Sequence, residues 1–179
     1  MSLEGLSSPR AGGEWRAGRS GRGVIAVVAY TTAEARQQLL DTLADAIDEI
    51  GIALASLGEA YELLDEHTAE QLEDALFRPV QMAYGRAQRT HAEFADRHGL
   101  PRRVFEPASP GAPSLGVKGL LDGAVEAGER ADGVLASLQD SMLPVEVGDA
   151  PLRAGLEDVR RLIGDLRARA RELVRTLGR

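Results

Sequence analysis

Cysteine is absent from the 179 residues, which excludes disulfides, thiolate catalysis and Cys-ligated zinc or iron–sulfur clusters. Lysine is nearly absent as well. Of 21 basic residues, Lys118 is the only lysine and the rest are arginine, a balance that a GC-rich coding bias produces. Aromatic residues make up 4%, too few for the strands of a β-sandwich, which favour Val, Ile, Thr and aromatics. The apolar run Val24–Tyr30 covers seven residues and is far too short to span a bilayer. No G-x-S-x-G, P-loop or dinucleotide fingerprint occurs. The Glu-x-x-His pairs of carboxylate-bridged metal bundles do not occur either.

What remains is a Leu- and Ala-rich chain, 44% apolar, long enough to bury the core of one domain. Its net charge of −7 argues against general affinity for DNA or anionic lipid. The charge alternates along the chain. Residues 31–76 carry twelve acids against Arg36, a net of −11, and residues 77–104 have a net of +4. Residues 105–150 return to −6 and 151–179 to +4. Such alternation suits neighbouring helices of opposite surface charge.

Residues 1–23 are rich in Gly, Ser and Arg without apolar period and read as a disordered tail. Residues 1–30 as a whole are a tail or a mis-called start, with a true start near Val28 placing Ala-Tyr-Thr-Thr just ahead of the first helix. The basic lead-in to Val24–Tyr30 keeps export open as the alternative to a cytoplasmic location.

The expected fold is all-α: an antiparallel, up-down four-helix bundle over 31–178 with left-handed heptad packing. The first helix, about 32–65, opens on the capping-box spacing Thr31–Glu34. Leu40, Leu43, Ile47, Ile50, Leu54, Leu57, Tyr61 and Leu64 then step by three and four, an unbroken heptad seam. Small flanks (Ala44, Ala46, Gly51, Ala53, Gly58, Ala60) widen that face enough for two neighbours. Thr68 and Gln71 repeat the capping-box spacing and predict a second helix over 68–98, although one continuous helix from 32 to 98 stays open. Its face is Leu72, Leu76, Val80, Ala83, Ala87, His91, Phe94 and His98. Pro79 should kink it, and Arg97-His98-Gly99 with Pro101 should end it.

Residues 99–114 hold four prolines. They form a crossover to a distant corner, or a recognition loop anchored by Val104 and Phe105. The third helix, about 115–142, is capped by Ser114 and weakened by five glycines, each costing about 1 kcal/mol against alanine. Its seam is Val117, Leu121, Ala124, Gly128, Ala131, Leu135, Leu138 and Met142. The fourth, 150–177, opens on Asp149 and Pro151, and its seam is Leu152, Leu156, Val159, Ile163, Leu166, Ala170, Leu173 and Leu177.

No cofactor and no catalytic set is expected. His91 and His98, seven apart on one face, are weak metal candidates with an acid such as Glu62; otherwise His91 is a core-edge residue and His98 a helix cap. The arginines of the last helix (Arg153, Arg160, Arg161, Arg167, Arg169, Arg171, Arg175) could grip phosphates or pair with acidic helices. Three functional readings follow. The first is a non-catalytic interaction or scaffolding protein, with a protein partner or self-association. The second is a ligand- or metal-binding bundle around His91, with Tyr61 or Tyr84 and an acid nearby. The third is an arginine-mediated binder of nucleic acid or polyphosphate, which the net charge disfavours.

Overall fold

The computed structural model describes residues 21–109 and 115–177, and the side chains of 32–109 and 115–176. The tail over 1–20 and the Ser114 cap lie outside the described residues. Every regular element described is helical and no strand occurs among them. No helix of the described residues is long and apolar enough to cross a membrane.

Helix α1 spans Gly21–Glu62. Its backbone passes through Thr31, so the Thr31–Glu34 box does not mark a helix start, and the helix includes 21–30, which the composition assigns to a tail. The chain breaks after Glu62, as one of the two sequence readings has it. The cap differs from the one expected. Asp65 stands at the N-cap of α2 (Glu66–Leu72), and its carboxylate accepts from the Thr68 N–H at 3.1 Å and the Thr68 hydroxyl at 2.8 Å. Asp is as good a cap as Thr and needs no reciprocal partner, so the helix starts two residues earlier than at Thr68.

A π-turn over Glu73–Phe77 joins α2 to α3 (Arg78–His98) directly ahead of Pro79. Leu72, Leu76 and Val80 are spaced four and four, wider than the 3.6-residue turn, and all three are fully buried. The wide turn keeps them on one face, so the disturbance expected at Pro79 falls in the turn before it. α3 ends as its sequence implies: Gly99 is left-handed, with φ +63, and its N–H reaches the carbonyls of Ala95 and Asp96.

Helix α4 spans Gly116–Asp140. It stops short of Met142, which takes a left-handed φ of +63 and is exposed rather than part of the seam. Pro144 sits inside the one-turn helix α5 (Leu143–Glu146) that follows. The last helix is not continuous. α6 (Ala150–Ile163) and α7 (Leu166–Leu177) are separated at Gly164 and Asp165, two residues of low helix propensity.

The helices surround one apolar cluster. It takes its side chains from all four seams, including Leu43, Ile47, Ile50 and Leu57; Leu72, Leu76, Val80 and Phe94; Leu121 and Leu135; and Leu156, Val159 and Leu173. Named contacts set the helix directions. Gly51 faces Tyr84 and Gly58 faces Phe77, so α1 and α3 are antiparallel. Glu49 pairs with Arg130, and Gln38 shares a groove with Ser141, so α1 and α4 are antiparallel too. α3 therefore runs in the same direction as α4, so the start of α4 lies about a helix length from the end of α3. This departs from the plain up-down order the sequence suggested, and the described part of the Pro-rich segment, 100–109, runs back along α1 from Arg103 beside Asp48 to Ala108 beside Gly51.

Charge does not choose the neighbours. The most extensive helix contact joins α1 and α4, both in net-negative stretches. Exposed ion pairs contribute roughly 0–1 kcal/mol each, whereas each fully buried Leu or Ile contributes about 1.5–3 kcal/mol. The apolar seams decide, and the charges arrange themselves afterwards.

Candidate functional site

Helix α3 presents Tyr84 and His91, seven residues apart, toward α1. Beyond Gly99 the chain folds back over the α1–α3 seam as an irregular strap, residues 100–109. Arg103 anchors it to Asp48 of α1 at 2.8 Å. Phe105 stands edge-on to His91, with ring centroids 5.2 Å apart and planes at 85°. The Arg103 guanidinium lies 5.1 Å over the Phe105 ring. Further along, Ala108 lies close to Gly51: a Cβ on that glycine would sit 3.7 Å from Ala108 Cβ and 3.4 Å from the Tyr84 ring. A small residue in α1 thus gives the strap and Tyr84 room to lie down.

Between α1, His91 and the strap lies a cleft of about 480 Å³. Gln37, Asp41 and Asp45, at steps of four, form its α1 wall, and Pro101, Arg102 and Arg103 form the strap wall. The basic wall is already engaged, Arg102 with Asp96 and Arg103 with Asp48. On the acidic wall Asp41 accepts from the Gln37 amide at 2.8 Å, while Asp45 has no ion pair among the described residues.

His91 is 2% exposed, and its buried Nδ1 has no hydrogen-bond partner. Burial lowers its pKa, and Arg103 pushes the same way against a weaker pull from Asp41. The ring is therefore neutral near pH 7. The Tyr84 pKa is raised, first by burial and then by the Asp48 carboxylate, against a hydrogen bond from Gln88 and the charge of Arg103. The cleft combines a neutral imidazole with an acidic and a basic wall. That set can recognise a small polar molecule. A nucleophile activated by a base is not among its groups.

The weak metal candidates are not brought together. His98 Nε2 sits 3.0 Å from Asp149. Glu62 ends α1, twenty-one residues from Asp41, or about 31 Å along a helix. Among the described residues no three His, Cys, Asp or Glu side chains are grouped to hold a metal ion. Tyr84 shares the face of His91 on α3, while Tyr61 lies near the far end of α1.

A second polar cluster sits at the end of α3. Asp149 caps α6, accepting from the Leu152 N–H at 2.8 Å, and also accepts from Arg97 Nε at 3.0 Å and Nη2 at 2.9 Å. The Asp149 cap was legible in the sequence. Its union with Arg97 and His98, 52 and 51 residues away, was not.

Five of the seven arginines on α6 and α7 lie within 4 Å of a carboxylate. Two of these pairs, Arg160–Asp132 and Arg167–Glu129, reach across to α4 rather than to the strongly acidic α1. Comparison of the chain with models of protein families, with curated proteins and with solved structures finds no match.

Proposed function

We propose that this chain is a non-catalytic interaction or scaffolding protein: a four-helix bundle of antiparallel neighbours, packed on left-handed heptad seams, that self-associates. The observation that carries the reading is the single apolar core. Side chains of all four seams meet in one apolar cluster, so what the molecule offers to others is on its outer faces. Those faces are open grooves between helix pairs, bordered by charged rows rather than by one enclosed chamber. Light scattering tests the proposal. The expected mass is a multiple of the 19.1 kDa chain, increasing with concentration. A strict monomer up to millimolar concentration overturns the self-association.

A second reading is favoured by one atom. Burying Nδ1 of His91 without a partner costs roughly 1–3 kcal/mol. A small polar ligand that enters the cleft and displaces the strap would relieve that cost. The test follows the His91 ring resonances while small amines, carboxylates and zwitterions are added. A panel in which none moves them discards the reading.

A further inference from the structure

The groove between α4 and α7 has walls of opposite charge. Its floor is apolar: Leu121 and Val125 from α4, Ala170 and Val174 from α7. Asp122 and Glu126 stand on the α4 wall, with Lys118 at its end, and Arg167, Arg171 and Arg175 stand on the α7 wall. Both rows step by four, so each forms one ridge along its helix. The groove measures about 490 Å³. Some of its charges are paired within the chain, Lys118 with Asp122, Arg175 with Glu172 and Arg167 with Glu129. Arg171 has no carboxylate partner among the described residues, and Glu126 reaches Arg167 only through its field.

We propose that this face docks on the same face of a second copy of the chain, about a two-fold axis parallel to the helices. The proposal rests on the self-association reading and names the surface. Charge complementarity and helix direction together select the pairing. α4 and α7 are antiparallel and lie side by side. A two-fold axis along them sets α4 of one protomer opposite α7 of its partner, so Asp122 and Glu126 meet the arginine row twice, while Lys118, held by Asp122, falls level with Arg175, which is held by Glu172. Turning the axis across the helices instead sets acid on acid and arginine on arginine, which is repulsive. The face accepts one of the two arrangements and rejects the other.

Register supports the pairing. Gly128 packs on Leu166, and a Cβ there would lie 2.6 Å from Leu166 Cδ2. Counting five residues along each antiparallel helix from that contact puts Arg171 level with Gly123, between Asp122 and Glu126. The symmetric copy keeps those heights, so Arg171 of one protomer reaches between Asp122 and Glu126 of the other. The floor residues are short, and the aliphatic stems of the arginines can lie along them while their heads reach the opposite acids. With so small an apolar floor, the contact belongs with weak, salt-sensitive interfaces.

The test is a charge swap in the full chain, read by sedimentation velocity at low and high salt. Glu126→Arg and Arg171→Glu are each expected to raise the dimer dissociation constant by tenfold or more. An equimolar mixture of the two variants should associate again, and so should the chain carrying both changes. Salt should weaken the native dimer. Circular dichroism melts of each variant check that the fold is intact, because both side chains are on the surface. A chain that associates while ignoring both single substitutions overturns this face and leaves self-association standing. Singles that weaken association without recovery in the mixture overturn the opposed-row pairing. A chain that stays monomeric overturns both proposals.

Discussion

Arg97 grips Asp149 with two parallel hydrogen bonds, from Nε at 3.0 Å and from Nη2 at 2.9 Å, and so ties the last turn of α3 to the first turn of α6. The carboxylate also caps α6 through Leu152 and meets His98 at 3.0 Å. Burial alone would raise the Asp149 pKa. The Arg97 fork, the Leu152 N–H and His98 together outweigh it and hold the carboxyl below its usual value. A carboxyl with a lowered folded pKa contributes stability above its unfolded pKa, and that contribution disappears as pH falls through the folded value. Stability should therefore drop below about pH 4, and Asp149→Asn should flatten that acid limb. At neutral pH the substitution is expected to cost about 2–4 kcal/mol in urea unfolding, because it leaves Arg97 facing a neutral amide at a buried site. An unchanged midpoint would show that the tie is ornamental.

Two glycines in helices should respond in opposite directions to alanine. At Gly155 a Cβ would lie 2.3 Å from Thr90 Oγ1 and 2.5 Å from Thr90 Cγ2, where α3 and α6 touch. Thr90 is buried and bonded to the Arg86 carbonyl, so it has little room to turn away. Gly155→Ala should destabilise by about 1–3 kcal/mol through overpacking, more than the helix propensity it gains. Gly133 is exposed, with nothing within 4 Å of its Cβ position. Gly133→Ala should stabilise by about 0.5–1 kcal/mol. Adding Thr90→Ala to Gly155→Ala should recover part of the loss. Additive effects in that double mutant would contradict the contact.

The difference between these glycines marks what could be read from the sequence. Periodicity revealed the helical class and the inward residues: Leu43, Ile47, Leu121, Leu156 and Val159 are buried as their spacing requires. The Gly99 and Asp149 caps were legible because each depends on a few adjacent residues. Gly155 was not, because its reason is Thr90, 65 residues earlier in the chain. The direction of α4 was also hidden, since a heptad seam reads the same along either direction of a helix. The strap resisted for a similar cause. By sequence Val104 and Phe105 are equal candidates for its apolar anchor, yet Phe105 packs on His91 while Val104 is 81% exposed, and nothing local distinguishes the two.

His91 should leave a mark on the pH dependence of folding. Its folded pKa lies below the ordinary histidine value, chiefly through burial, with Arg103 adding to the shift. The ring is favoured neutral in the folded state, so stability is full above the unfolded pKa and declines as pH falls below about 6.5. A melting series between pH 8 and about pH 5 should show this decline, and His91→Phe should abolish it, because phenylalanine cannot charge. A variant that retains the full slope would assign it to another group.

Removing the strap's aromatic anchor separates the local effect from the global one. Phe105 is half-buried, its ring packs perpendicular to the imidazole, and the Arg103 guanidinium lies over the Phe105 ring. Phe105→Ala should cost about 1–2 kcal/mol, less than a fully buried phenylalanine, because α1 and α3 keep their own seam. Its larger effect should be local. Amides of 101–108 should exchange faster than those of α3, and the His91 pKa should return toward the ordinary histidine value as water reaches Nδ1. Proton NMR titration of the His91 ring reads that shift directly. If the ring stays neutral at the pH where native His91 does, the seal over it is made by α1 and α3 alone, and the strap plays no part in burying it.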